Sequence, residues 1–340
     1  MNIEQQMQQQ LDNLTKPPGS LGVLEALALQ MASLQQSLQP TITQPHIAVF
    51  AADHGIAATG LVNPYPQAVT AQMVHNFCQG GAAINVLCRL HQVQLTVVDA
   101  GVATTLPRHL PVQHRKIAMG TANYLQGPAM TEAQATACLL AGAQVVNELA
   151  QTGCNTLGLG EMGIGNSSSA ALIMHNLLQL PLHQCVGRGT GTNAQQYHTK
   201  LHTLQQVARL HQLDSGPLPA HTLLQAVGGF EIAMLAGACL QAAQQGMLIV
   251  ADGFITTAAW LCAWQIQPWL VKHTVFAHCS AEQGHTAMLQ AIPARPLLQL
   301  DMRLGEGTGA ALAMPILRSA CALATQMASF NQAGVSRSSL

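Results

Sequence analysis

Residues 46–55, HIAVFAADHG, are the stretch that decides the fold. The run is almost entirely apolar, contains the β-branched residues Ile47 and Val49, and ends at Asp53. Such a run, followed by a loop and a predicted helix over residues 68–90, is typical of a buried parallel strand in a βα unit. Similar strand-like runs, four of them ending in an acidic residue, a glycine or both, lie at residues 46–55, 94–102, 154–163, 247–253 and 274–285. Repeated strand-loop-helix units predict an α/β fold with a parallel sheet and helices on both faces.

The loops after the strands point to a ligand site. In open α/β sheets the crevice for the ligand lies outside the carboxyl ends of the strands. Asp53 and His54 follow the first strand, so they are candidate substrate-binding residues. A strand-end turn with a capping Asp explains them equally well. The proline-rich loop that follows contains Gln67, a candidate for one wall of the site.

The helices follow from capping residues and apolar spacing. An N-terminal helix is predicted to stop at the corner LTKPPGSLG, where Pro17 and Pro18 cannot continue it. The corner is a simple helix-turn-helix connection or, less favoured, a place for Lys16 to bind a ligand. The remaining predictions are helices over residues 21–38 and 131–152, a helix that contains Lys200 and runs to about residue 213, and a helical stretch over 221–246 interrupted at Gly228 and Gly229. An irregular stretch is predicted over 104–126, and a C-terminal helix to about residue 330 with a kink at Pro315.

Residues 300–317, LDMRLGEGTGAALAMPIL, contain the candidate reacting group. Glu306 stands between Gly305 and Gly307, and a run of small residues then begins a helix. Glycines allow positive φ angles and close approach to a ligand. The free N–H groups of the helix start favour negative charge. Glu306 is therefore either a general base facing a bound molecule or a solvated acid near a helix start.

Residues 154–178 predict a strand, a glycine loop and a helix. The segment GLGEMG matches GxGxxG. The helix-capping residues that follow Gly163 and Gly165 favour binding of an anion by the backbone N–H groups beside them. A dinucleotide site also requires an acidic residue about twenty positions further on. Residues 182–185 are instead LHQC, and Glu161 stands inside the loop. A local phosphate site is thus favoured over a nicotinamide dinucleotide.

A second glycine turn, VGRGTG, contains Gly189 and precedes Lys200 on a predicted helix. In a chain with so few cations, a lysine beside glycine turns is a reasonable partner for a phosphate. The alternative is a solvated lysine on a helix surface, which is the commoner fate of a lysine.

The composition excludes several classes of protein. The 340 residues are 49% hydrophobic and only 8% charged, with a net charge of -1, which argues against a nucleic-acid partner. So little charge favours a buried interface between copies of the chain. The nine cysteines form no CxxC, which indicates reduced thiols and no structural zinc. With no secretory segment and no apolar run long enough for a bilayer, we expect a cytoplasmic protein.

Taken together, the motifs resemble one family. These are LTKPPGSLG, ADHG, YPQAVTAQMVHNF, GGAAINVLCR, GEMGIGNSSSAA, VGRGTG, GGFEIAMLAGA, ADGFITTAA, HCSAEQGH and DMRLGEGTGAALA. In this order, from about residue 12 to residue 325, they resemble nicotinate-nucleotide:dimethylbenzimidazole phosphoribosyltransferase. No single glycine loop would support the assignment, whereas the set does.

The resemblance implies a Rossmann-like large domain over residues 41–310. It implies a small helical domain from residues 1–40 and 311–340, and a homodimer. The implied reaction moves phosphoribose from nicotinate mononucleotide to 5,6-dimethylbenzimidazole during cobalamin assembly, with no metal or cofactor. The family's proton acceptor falls on Glu306 and its second glutamate on Glu161. Its phosphate-binding groups fall on Gly163, Gly189 and Lys200.

Two points stay open from the sequence. Gln67, Met302, Leu304 and Gly305 are candidates for the wall around the base, whose identity the sequence does not fix. Besides the transferase, the chain is compatible with a nicotinamide-dependent oxidoreductase built on GLGEMG. It is also compatible with a non-catalytic protein that binds a nucleotide or base.

Overall fold

The computed structural model describes residues 1–187 and 193–336. One six-stranded sheet organises the chain, and every neighbouring pair of strands is parallel. The strands are β1 (His46–Ala52), β2 (Gln94–Gly101), β3 (Val112–His114), β4 (Thr156–Met162), β5 (Leu248–Ala251) and β6 (Thr274–Phe276). Their order, β3-β2-β1-β4-β5-β6, is that of the doubly wound Rossmann sheet.

Helices flank the sheet on both sides. The first eight are α1 (Ile3–Asp12), α2 (Val23–Gln35), α3 (Val69–Gln79), α4 (Ala83–Leu90), α5 (Glu132–Gln151), α6 (Asn166–Leu178), α7 (Leu182–Cys185) and α8 (Ala194–Leu210). They are followed by α9 (Ala220–Val227), α10 (Phe230–Gln244), α11 (Phe254–Ile266), α12 (Gln283–Gln290), α13 (Thr308–Gln326) and α14 (Phe330–Ala333). Short 3-10 turns lie at Gly55–Thr59, Leu213–Ser215 and Pro268–His273.

The alternation of side chains along β1 shows why helices cover both faces. Ala48 and Phe50 face a core formed with α5, α6, α10 and α11, whereas Ile47 and Val49 face a core formed with α2, α3, α4 and α13. Successive residues of a strand point to opposite faces, so a strand that is apolar throughout must be buried on both. The predicted α/β fold with a parallel sheet is confirmed.

A third, smaller core joins the two ends of the chain. It consists of Met7, Leu11, Leu14, Ala28, Ala32 and Ala324, contributed by α1, α2, the loop after α1 and the last turns of α13. However, α13 also packs under the sheet through Ala310 to Leu317, so it belongs to both cores. The division at residues 40 and 311 therefore stays a prediction, because a single helix crosses the second boundary.

Several predicted elements differ from the structure. The single helix predicted over residues 68–90 is wrong: the segment forms two helices, separated at Gly80, whose φ is +79°. The stretch 104–126, predicted to be irregular, contains β3, a three-residue edge strand too short for a recognisable pattern. The C-terminal helix ends at Gln326 rather than near residue 330.

Among the described helices, α13 has the length and apolar composition of a membrane span. Its apolar window is 56% buried inside the protein, and Arg318 interrupts it. These are features of a core helix.

Candidate active site

A cavity of about 340 Å³ opens at the carboxyl edge of the sheet. It lies beside β4 and β5, next to the point between β1 and β4 where the strand order reverses. Ligands of doubly wound folds bind at this point. Of the predicted site residues, the cavity is lined by Glu161, Gly163, Lys200, Leu304, Gly305 and Glu306.

Glu306 occupies an unusual turn before α13. Its φ is +64°, between Gly305 at +84° and Gly307 at +82°, so three successive residues are left-handed. For a residue with a Cβ this conformation costs energy, and the surrounding structure must hold it. The backbone carbonyl of Glu306 leaves no room for a side chain at Gly160, where a Cβ would lie 2.6 Å away. The close approach of β4 therefore fixes the position of the turn.

The Glu306 carboxyl is 5% exposed and lines the cavity, and its Oε2 has no hydrogen-bond partner. Burial raises its pKa above the ordinary value, and the backbone N–H of Ile84, in the first turn of α4, offsets part of this effect. The prediction that the free N–H groups at the start of α13 favour the negative charge of Glu306 is wrong in its detail. The N–H of Ala310 donates to Asp252 Oδ1 over 3.0 Å instead, so Asp252 occupies that helix end.

Glu161 lies against the Glu306 turn from β4. A Cβ at Gly305 would lie 2.2 Å from Glu161 Oε1, and the φ of +84° there also favours glycine. The Asn166 amide donates to Glu161 Oε2. Burial raises the pKa of Glu161 to about 8, and the charges of Asp252 and Glu306 act in the same direction. Burial therefore disfavours the charged form of the Glu161 carboxyl in the ligand-free protein.

Another part of the cavity lining suits an anion. Gly165, with a φ of +96°, precedes the first residues of α6, whose N–H groups are typical anion donors. Lys200 is only 3% exposed, and its Nζ lies 3.1 Å from Ser167 Oγ and 3.4 Å from the Gly187 carbonyl. A solvated lysine is therefore excluded. Burial lowers the pKa of Lys200 to about 8, while the charge of Glu282 acts to raise it.

Gly189 and its neighbour Arg188 fall outside the described residues. The predicted contact of Gly189 with a phosphate therefore stays a prediction. The described ends of that segment, Gly187 and Asn193, precede α8, which contains Lys200.

Apolar side chains also line the cavity. They are Val62, Tyr65, Val69, Met73 and Leu304. Tyr65 is 46% exposed and Leu304 56% exposed, so both can be covered by a bound ligand. Met302 is not part of the lining. Its carbonyl accepts the N–H of Ala281 over 2.8 Å, which fixes the loop behind Leu304.

Asp53, His54 and Gln67 do not line the cavity. Asp53 Oδ2 accepts the Ala103 N–H over 2.7 Å, so Asp53 ties the end of β1 to the loop after β2 rather than capping its own turn. Gln67 donates to the His54 carbonyl over 3.1 Å. Direct contact of these three residues with a substrate stays a prediction, and their bonds indicate that they position other groups.

His54 belongs to a set of buried polar residues that we call the enclosed cluster: His54, Tyr124, Ser169 and Glu231. Its ring nitrogens lie 3.1 Å from Ser169 Oγ and 2.6 Å from Glu231 Oε1. The Ser169 hydroxyl also bonds to Tyr124. A Cβ at Gly163 would lie 2.9 Å from Glu231 Oε1, so the cluster sits directly beneath the cavity floor.

The dinucleotide fingerprint is not a phosphate loop. Gly158 and Gly160 lie within β4, where a Cβ at Gly158 would collide with Ile47 and one at Gly160 with the backbone of Glu306. Close packing of strands and turns therefore explains these glycines. Only Gly163 and Gly165 belong to the turn that precedes α6.

Asp252, His278, Ser280 and Glu282 are among the polar lining residues that were not predicted as site residues. Asp252 ends a predicted strand, and the other three lie in HCSAEQGH, so the strand-end rule could have found them. No group of three or more potential metal ligands occurs in residues 1–187 and 193–336.

Comparisons with known proteins show the family of the chain. A family model described as Phosphoribosyltransferase matches residues 1–335. A nicotinate-nucleotide–dimethylbenzimidazole phosphoribosyltransferase of Cupriavidus necator is 49% identical over 337 residues, 99% of this chain and 96% of that protein. The enzyme of the same name from Photobacterium profundum is 49% identical over 331 residues, 97% of this chain and 95% of that protein. The crystal structure of CobT from Thermus thermophilus superposes with a TM-score of 0.93, at 43% identity and 99% coverage of both chains.

Proposed function

The chain belongs to the phosphoribosyltransferase family whose model matches residues 1–335, and we propose that it transfers phosphoribose from nicotinate mononucleotide to 5,6-dimethylbenzimidazole. The products are nicotinate and α-ribazole 5'-phosphate, the nucleotide of the lower ligand of cobalamin. One observation supports the assignment most: the unpartnered carboxylate oxygen of Glu306 lines the same cavity as Lys200 and the start of α6.

The leaving group sets what the protein must supply. In nicotinate mononucleotide the pyridine nitrogen bonded to the ribose is cationic, so the ring departs with the bonding electron pair and needs no proton. The difficulty lies with the attacking benzimidazole, which becomes cationic as its nitrogen bonds to the anomeric carbon. A base that removes the proton from the other ring nitrogen keeps the product neutral.

Glu306 is the proposed general base. Its carboxyl is buried and points into the cavity, and its raised pKa makes the carboxylate a stronger proton acceptor than an exposed glutamate. A positioned base of this kind contributes about 10² to 10⁴ in rate. Holding the two flat rings on opposite sides of the ribose supplies much of the rest, and attack opposite the departing ring inverts the anomeric carbon.

The substrate phosphate is proposed to bind between Lys200 and the turn that begins at Gly163, with Gly189 as a further donor. Charge-assisted hydrogen bonds from a buried ammonium and from helix N–H groups favour a phosphate there. Glu161 is proposed to steady the ribose hydroxyls or the positive charge that develops on the sugar. Leu304 and Gly305 are proposed to contact the benzimidazole beside Glu306.

We extend the proposal to a cytoplasmic homodimer. The chain has only 8% charged residues, and α4 exposes Val86 and Leu90. Apolar side chains on a protein with so little surface charge favour a covered interface. Light scattering at micromolar concentration tests the assembly, and a monomeric mass would contradict it.

The decisive experiment is to mix the protein with nicotinate mononucleotide and dimethylbenzimidazole. We expect the mass of α-ribazole phosphate and an equal amount of nicotinate. Saturable binding of both compounds without nicotinate release would identify a non-catalytic binding protein instead. A change in NADH absorbance with a carbonyl substrate would point to an oxidoreductase.

A further inference from the structure

Asp252 connects the end of β5 with the turn that contains Glu306. It is 2% exposed and lines the cavity. Its Oδ1 accepts the Ala310 N–H over 3.0 Å, and the N–H groups of Gly307 and Gly309 also face its carboxylate. These donors follow Glu306 by one, three and four residues. One side chain from a neighbouring strand therefore holds the whole turn.

The turn needs such support for two reasons. The first N–H groups of a helix have no partner within the helix. A carboxylate accepts their hydrogen bonds, and its negative charge interacts favourably with the positive end of the helix dipole. In addition, Glu306 has a left-handed backbone, which persists only where neighbouring contacts determine it. Gly309 leaves room for this arrangement, since a Cβ there would lie 2.7 Å from Asp252 Oδ1.

We propose that Asp252 is a positioning residue for Glu306, which fixes the turn through its backbone N–H groups and strengthens Glu306 as a proton acceptor through its own negative charge. The inference rests on the proposed role of Glu306 in the transfer reaction. It assigns to Asp252 more than the capping of a helix, because a cap alone would leave the basicity of Glu306 unchanged.

Several charged groups face Asp252. Glu306 lies in the turn before α13 and Glu161 on β4. Burial raises the pKa of Asp252 to about 7, the backbone N–H groups that donate to it act to lower it, and the Glu306 charge acts to raise it further. The repulsion between two carboxylates is mutual, so Asp252 must favour protonation of Glu306 in turn. His278, after β6, has its Nε2 3.8 Å from Asp252 Oδ1. The cavity is further lined by Lys200, Glu282 and Arg303.

The test compares Asp252→Asn with Asp99→Asn. Asp99 is the matched control because it is buried, lies near the end of β2 and accepts a backbone N–H from Val102 over 3.0 Å, but does not line the cavity. For Asp252→Asn we expect kcat to fall at least about tenfold, with KM within about threefold. The acid limb of the pH profile should move at least about half a unit to lower pH. In Asp99→Asn that limb should not move.

A second measurement does not depend on turnover. The Glu306 carboxyl can be followed by 13C NMR in ligand-free protein, assigned by its absence in Glu306→Gln, and should titrate at lower pH in Asp252→Asn. Asp252→Glu keeps the negative charge, and it is the variant to measure if Asp252→Asn does not fold. In that variant we expect a lower kcat and an acid limb that stays at its wild-type pH.

Two outcomes overturn the inference. One is a folded Asp252→Asn variant with wild-type kcat. The other is a variant whose kcat falls while Glu306 titrates at its wild-type pH, which would mean that Asp252 acts only as a helix cap. A wild-type protein that releases no nicotinate would instead refute the proposed function. The NMR titration would still decide whether Asp252 and Glu306 interact.

Discussion

Two groups of polar residues lie at the carboxyl edge of the same sheet, and they differ in what surrounds them. The cavity cluster consists of Glu161, Lys200, Asp252 and Glu306, all lining open space. In the enclosed cluster, both ring nitrogens of His54 are bonded and His54, Tyr124, Ser169 and Glu231 are all fully buried. Polar groups that bond to one another inside a protein stabilise it, whereas those facing a cavity are available to a ligand.

The largest effect on turnover is expected from replacing Glu306 in the cavity cluster. Glu306→Gln keeps the size of the side chain but removes the proton acceptor, so kcat should fall about 10² to 10⁴-fold. Binding of nicotinate mononucleotide, measured by calorimetry, should change little. The control is Asp301→Asn, an exposed acid in the same loop. Turnover by Glu306→Gln at the wild-type rate would show that Glu306 is not the base.

Lys200→Met tests the anion side of the cavity cluster. Losing a buried ammonium that bonds a phosphate costs about 1.5–3 kcal/mol of binding free energy. KM for nicotinate mononucleotide should therefore rise roughly 10- to 100-fold, with a smaller change in KM for the benzimidazole. Lys272→Met, at an exposed lysine, is the matched control. If both variants keep the wild-type KM, the phosphate binds elsewhere.

In the enclosed cluster we expect stability to change rather than substrate affinity. His54→Gln disturbs the bonds to Ser169 and Glu231 and leaves buried polar atoms without partners. The free energy of unfolding in urea should fall by about 2–3 kcal/mol. KM should stay within about threefold, as in the exposed control His202→Gln. A tenfold higher KM in a folded His54→Gln protein would instead place His54 in contact with the substrate.

The smallest effect concerns the stability of the ligand-free protein. Burial raises the pKa of Glu161 from 4.5 to about 8. Between these values the folded protein binds more protons than the unfolded chain, so the free energy of unfolding falls as pH rises. Glu161→Gln removes this loss. Its Tm should exceed the wild-type Tm by on the order of 2 to 4 °C at pH 8.5, with a smaller difference at pH 5.

Thermal unfolding at the two pH values measures this difference, and Glu132→Gln is the control because Glu132 is exposed. An equal change in Tm at both pH values would mean that Glu161 is charged throughout this range in the folded protein. The same variant should have reduced activity, because cavity residues that favour the ligand destabilise the empty site.

Local patterns explain how much of the fold could be predicted. The apolar run at residues 46–52 must be buried on both faces, and the glycines around Glu306 allow a left-handed turn before a helix. Both are consequences of neighbouring residues along the chain. The edge strand β3 and the break at Gly80 escaped prediction. β3 has only three residues, and the apolar spacing of α3 continues into α4.

The strand-end aspartates show what local patterns cannot decide. In the sequence Asp53, Asp99 and Asp252 look alike, since each stands at or just after the end of an apolar run. In the structure Asp53 holds Ala103, Asp99 pairs with Lys116 at 3.0 Å, and Asp252 lines the cavity. Their different partners depend on which strands are neighbours in the sheet.

The sequence by itself determined the parallel α/β sheet, the glycine turn of Glu306 and the family. Apolar periodicity and the steric freedom of glycine act over a few residues, and the ordered motifs extend over most of the chain. Only the tertiary structure decided that Lys200 is buried beside α6, that His54 is enclosed, and that Asp252 holds the Glu306 turn. The physical reason is that pairing of β4 with β1 and β5 brings together residues far apart in the chain, and no local pattern encodes those contacts.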